Sequence, residues 1–158
     1  MSKSRKQKSL SESAAAIAAA GPYPFELWRL IPAEEFDKHR KYAVGAYLAT
    51  CAAGDVEWRR AIAGDETCAV RIALRMQVPD DISYPVDARM TLLVYAALNG
   101  GAAAALTLAN LLRRMPLDAQ DKNVLANSWL ARNARMAAQD ASELRRRLLG
   151  EMYHDNGL

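Results

Sequence analysis

Apolar residues recur along this chain at helical spacing, and Gly, Pro and Asp mark the places where the recurrence breaks. Gly21, Pro22 and Pro24 close a first segment, after which Phe25, Leu27, Trp28, Leu30 and Ile31 supply a short core-forming stretch. Pro32 then opens a predicted helix over residues 33–53, with Glu34 and Glu35 in the first turn, where carboxylates favour the positive end of the helix dipole. Val44, Tyr47, Leu48 and Cys51 share one face of it, and Gly54 stops it. Asp55 caps a short helix through Ile62, and Gly64 with Asp65 repeats the stop and start. The next helix, over 66–77, places Cys68, Ile72 and Met76 on one face, and VPDDISYP is a loop. A helix over 87–98 buries Met90, Leu93 and Ala97 before Asn99, Gly100 and Gly101 close it. Another over 102–115 carries Leu108, Leu111, Leu112 and Met115 and stops at Pro116. Asp118 or Asp121 opens a helix to about residue 138 that buries Leu125 and Trp129, and a final helix over 141–153 is expected to bury Leu144, Leu148 and Met152.

Composition agrees with an all-α fold. Alanine, the best helix former, occupies 31 positions, about a fifth of the chain, and no stretch alternates apolar and polar residues over a useful length. With 158 residues, 51% of them hydrophobic, residues 25–158 suffice for a single helical domain. No apolar run reaches the roughly 18 residues that a membrane span needs, so membrane insertion is not expected.

A shift of 36 residues lays Ala69, Ile72 and Ala73 onto Ala105, Leu108 and Ala109. It also lays Met76 onto Leu112, and Leu93 and Val94 onto Trp129 and Leu130. In a two-helix repeat the small residues permit close approach and the large ones fill the seam, and a single hairpin needs a neighbour to cover its apolar face. The segment GAAAALTLANLLRRMPLDAQDKNVLANSWLARNA resembles a Sel1-like repeat, a relative of the tetratricopeptide repeat, with LTLANLL as first helix and DKNVLANSWLARNA as second. GDETCAVRIALRM with YPVDARMTLLVYAALNGG resembles a weaker preceding copy. The match is degenerate and covers about residues 64–136, since Ala73 and Ala109 stand where the family has a first-helix glycine and the inter-helix loops lack glycine. The resemblance implies stacked antiparallel helix hairpins, at 64–100 and 101–136, in a short α-solenoid with flanking helices. It further implies a surface for another protein.

The net charge of +3 belongs to the N-terminus: Lys3, Arg5, Lys6 and Lys8 carry +4, leaving −1 for residues 9–158. Residues 1–24 are expected to form a disordered basic arm, and the four cations are candidate contacts for phosphates or an acidic partner. The AAAIAAA run after this basic start also caricatures a secretory signal, which sets secretion against the cytoplasmic placement that two cysteines without CxxC spacing favour.

No catalytic constellation emerges. His39 lies in the charged DKHRK run and His154 near the terminus, both expected to be solvated. There is no HExxH, CxxC, GxxxxGK[ST] or GxGxxG, so neither a metal nor a cofactor is expected, and the chain reads as no enzyme. Glu34 and Glu35, adjacent on a helix, do not face each other as paired acids would. Cys51 and Cys68 fit buried structural thiols. Arg145, Arg146 and Arg147 fan around a helix, which suits a solvated face better than a phosphate groove.

Trp58, Tyr84, Tyr95 and Trp129 remain as clues to binding, with Trp129 and Tyr95 in the second helices of the two repeats. Core packing competes with partner contact at both, and Arg132 and Arg135 complete the candidate partner-binding set. The expected function is a protein–protein interaction module, an adaptor or regulatory subunit. The alternative is a small nucleic-acid-associated regulator that uses the basic tail and the C-terminal arginines.

Overall fold

A computed structural model describes residues 23–52 and 54–154, with the side chains of 153 and 154 left out. Among these residues there are seven α-helices and no strands: α1 Leu27–Leu30, α2 Lys38–Cys51, α3 Val56–Ile62, α4 Glu66–Leu74, α5 Tyr84–Leu98, α6 Ala102–Arg114 and α7 Ala119–His154. The fold is all-α, as the sequence predicts. The basic arm, with Lys3, Arg5, Lys6 and Lys8, lies outside the described residues.

Three aspartates start three helices. The side chains of Asp37, Asp55 and Asp65 accept from the amides of Arg40, Trp58 and Cys68 at 2.8, 3.0 and 3.1 Å, each filling one of the donors a helix start leaves open. The cap at Asp37 corrects the predicted start at residue 33. Residues Ala33–Glu35 form a separate 3₁₀ turn, and Phe36 turns its ring into the core before α2 begins. Helix α5 starts three residues before the prediction, because Pro85, which lacks an amide hydrogen, sits in the first turn where none is needed. Helix α4 ends at Leu74, short of the predicted residue 77.

Helix α5 is the centre of the molecule: eleven of its fifteen residues are buried, so it is apolar nearly all round. The segment before α2, α2 itself, α3, α4 and α6 all pack against it, and α6 in turn contacts α4 and α7. Helices α4 and α6 start 36 residues apart, and α5 and α7 start 35 apart. The aligned residues Ala69 and Ala105, Ile72 and Leu108, Ala73 and Ala109, and Leu93 and Trp129 are all buried. These contacts are compatible with two stacked hairpins.

The irregular stretch 23–36 is fastened by side chains. Asp87 of α5 accepts from Trp28 Nε1 at 2.7 Å and from Arg29 at 3.3 Å, Thr91 donates to the Phe25 carbonyl at 3.2 Å, and Ser128 of α7 accepts from the Ala33 amide at 2.9 Å. Asp87, Thr91 and Ser128 are the buried polar residues among those described, and each serves backbone or side chain that no helix satisfies. Leu30, expected in the core, is 53% exposed.

The largest departure is at the C-terminus. The two predicted helices are one, 36 residues and about 54 Å long, because Ala137, Ala138, Gln139, Asp140 and Ala141 contain no residue that stops a helix. Its first half packs on α6, while from Ala137 to Met152 the side chains are exposed save for half-covered Glu143. Leu144, Leu148 and Met152, expected in the core, are 59%, 53% and 64% exposed.

Candidate functional site

Helix α2 carries Lys38, Lys41, Tyr42, Gly45 and Ala46 on one flank, separated by three or four residues and therefore stacked along a single face. Opposite them Tyr95 rises from α5, and the six residues line an open groove of about 390 Å³. Gly45 makes the groove. A Cβ there would stand 3.0 Å from the Tyr95 ring, tighter than ordinary contact, so glycine lets the phenol lie close on the α2 backbone where a larger residue would push it back by a few tenths of an ångström. Tyr95 is thus half-buried at the floor while Tyr42, 79% exposed, stands at the rim.

The charge in the groove is positive. Lys41 Nζ reaches the carbonyl of Leu98 at 3.5 Å, at the negative end of α5, and Lys38 is exposed one turn away. Two ammonium groups beside two aromatic rings can receive a carboxylate next to an apolar group.

A second groove, of about 310 Å³, lies between α3, α4 and the start of α5, lined by Trp58, Arg75, Tyr84 and Arg89 among others. Glu57 occupies its neighbouring cations, at 2.9 Å from Arg71 and 2.6 Å from Arg75. Trp58 is buried and donates to the Leu48 carbonyl. Tyr84 is 58% exposed, and its hydroxyl lies 3.3 Å from Cys51 Sγ, a contact that pushes the phenol up to about 12. A small cleft of about 200 Å³ includes Gly100 and Gly101, and Glu66 there accepts from the Ala104 amide at 2.7 Å. The carboxylate of α4 therefore caps the start of α6.

Of the residues singled out by sequence, only Tyr95 lines the α2–α5 groove. Trp129 is wholly buried and stacks at a tilt on Phe36, 5.4 Å between centroids, so it belongs to the core and offers no partner surface. Arg132 is half-buried with its Nε enclosed and without a hydrogen-bond partner among the described residues, and Arg135 is exposed. Arg146 and Arg147 both pair with Glu143. His39 is exposed, and the side chain of His154 lies outside the described residues. Cys51 and Cys68 are free thiols, Cys68 buried and Cys51 half-buried, and burial pushes the Cys68 thiol above its usual range.

Lys38, Lys41, Tyr42 and Gly45 were not singled out from the sequence. A signal was present: a glycine inside an otherwise uninterrupted helix costs about 1 kcal/mol, which marks a close approach of another element.

Among the described residues, no group of three His, Cys, Asp or Glu is placed to hold a metal ion, and no helix is long and apolar enough to cross a membrane. No protein-family model, curated protein or solved structure matches this chain.

Proposed function

We propose that this protein is a non-enzymatic interaction module, an adaptor or regulatory subunit, whose α2–α5 groove receives a partner segment presenting an apolar side chain flanked by carboxylates. The observation that carries the reading is Tyr42, an aromatic side chain 79% exposed on a helix beside two lysines, in a groove that has a second aromatic ring, Tyr95, at its floor. Tyrosine is among the residue types that dominate binding energy at protein interfaces. The reading takes α4–α5 and α6–α7 as two degenerate Sel1-like repeats, supported by the 36-residue offset between α4 and α6 and by the buried pairs that share it. A cytoplasmic setting accompanies it, supported by two free thiols. The nucleic-acid alternative draws less support, because Glu143 neutralises part of the C-terminal arginine run.

The test is co-purification from the native host with the tagged full chain, comparing the wild type with Tyr42→Ala and with Lys38→Glu combined with Lys41→Glu. A partner recovered by the wild type should be lost from both variants, since truncating a hot-spot aromatic costs about 2 kcal/mol or more. Recovery of the same proteins at the same level by wild type and variants would sink the groove as the binding site. Recovery of nothing above background would sink the interaction module itself.

A further inference from the structure

The projecting half of α7 has a pattern that the folded body does not use. Ala134, Ala137, Ala141, Leu144 and Leu148 alternate steps of three and four residues, the spacing of a two-helix seam, and all five are exposed. At 100° per residue they fall within an arc of about 80°, turned about 100° away from the line of Trp129 and Met136 that faces the bundle. Most helical stability in proteins comes from packing of an apolar face, so a projecting helix with a leucine seam gains stability from a covering partner.

The seam is graded. Its proximal end is alanine and its distal end is leucine. Two such helices laid side by side in parallel would set alanine on alanine at one end, leaving voids, and Glu151 on Glu151 at the other. Laid antiparallel about an axis between residues 142 and 143, each small residue meets a large one, as interdigitating layers require. The flanking charges then agree as well. Asp140 of one copy lies beside Arg147 of the other, twice by symmetry, and Arg147 is 72% exposed even while it contacts Glu143. Arg145 meets only Ala138.

We propose that the projecting half of α7 is a self-association surface that pairs antiparallel with a second copy of this chain, Ala141 against Leu144 of the partner subunit and Ala137 against Leu148 of the partner subunit. The self-complementarity of size and charge is what a two-fold interface between identical chains needs. It is independent of the α2–α5 groove, so the failure of either leaves the other standing.

Sedimentation of the full chain over a concentration series should show a monomer–dimer equilibrium. Leu144→Glu with Leu148→Glu should weaken it at least about a hundredfold while circular dichroism retains the helical body, since four leucines per dimer lose their cover. Asp140→Arg should weaken association, and adding Arg147→Asp to the same chain should restore it. Orientation is read by mixing two chains freed of Cys51 and Cys68, one carrying Ala141→Cys and the other Leu144→Cys. Mixed disulfides between the two are expected. A chain that stays monomeric at every concentration, a dimer that survives both leucine substitutions, or disulfides only between like chains would each overturn the proposal.

Discussion

Asp87 shows how much one buried carboxylate can organise. It holds Trp28 at 2.7 Å and Arg29 at 3.3 Å; replacing it by alanine strands the buried Trp28 donor, while the half-buried Arg29 keeps Glu26 at 3.0 Å. Asp87→Ala is expected to destabilise the fold by about 2–3 kcal/mol, measured as a fall in the urea midpoint with unchanged slope. The caps at Asp37 and Asp65 respond to pH. The amides of Arg40 and Cys68 hold these carboxyls below the usual range, so their contribution is complete above about pH 4 and disappears as the pH falls through the depressed native values. Stability should therefore decline on acidification. Asp37→Asn with Asp65→Asn, which caps without titrating, should flatten that decline; an unchanged profile would contradict the assignment. At Tyr84 the thiol neighbour is decisive, so Cys51→Ala should bring the phenol down from about 12 toward 10, visible in ultraviolet titration.

Among the elements, α4 and α6 are joined by an unusual start. Gly101 leaves room for the Glu66 carboxylate, and a Cβ there would stand 2.7 Å from Glu66 Oε1 and 2.9 Å from the Ala96 carbonyl. The flexible carboxylate can retreat, but only by releasing the Ala104 amide, and the Ala96 carbonyl is fixed within α5. Gly101→Ala should cost about 1–3 kcal/mol by thermal or urea unfolding. Starts and stops marked by Asp, Gly and Pro were legible in the sequence, because those residues act locally: Asp55 and Asp65 begin helices where expected. The end of the predicted helix at residue 138 was not legible. An expectation that Leu144, Leu148 and Met152 must be buried by their own chain placed a break where nothing in AAQDA stops a helix. Trp129 was ambiguous for a related reason, since periodicity puts it on a face without saying whether that face looks inward. Its neighbour Phe36, 93 positions earlier in the chain, decides the matter.

At the scale of the whole molecule, repeated helix pairs ordinarily behave as a stack in which each unit touches only its neighbours and comes apart from one end. Here the stretch from Tyr23 to Phe36 runs across that stack. It is tied through Phe25, Trp28 and Arg29 to the α5 residues Thr91 and Asp87, and through Ala33 to Ser128 of α7. Groups at opposite ends of the sequence therefore share the same hydrogen bonds, and neither hairpin can open without stranding donors that belong to a segment more than fifty residues away. The strap is therefore expected to make the packed body, up to about residue 136, melt all at once. Tryptophan fluorescence, which reports Trp28, Trp58 and Trp129 together, should follow the same transition as backbone ellipticity, and Ser128→Ala should be the substitution that first separates the two curves.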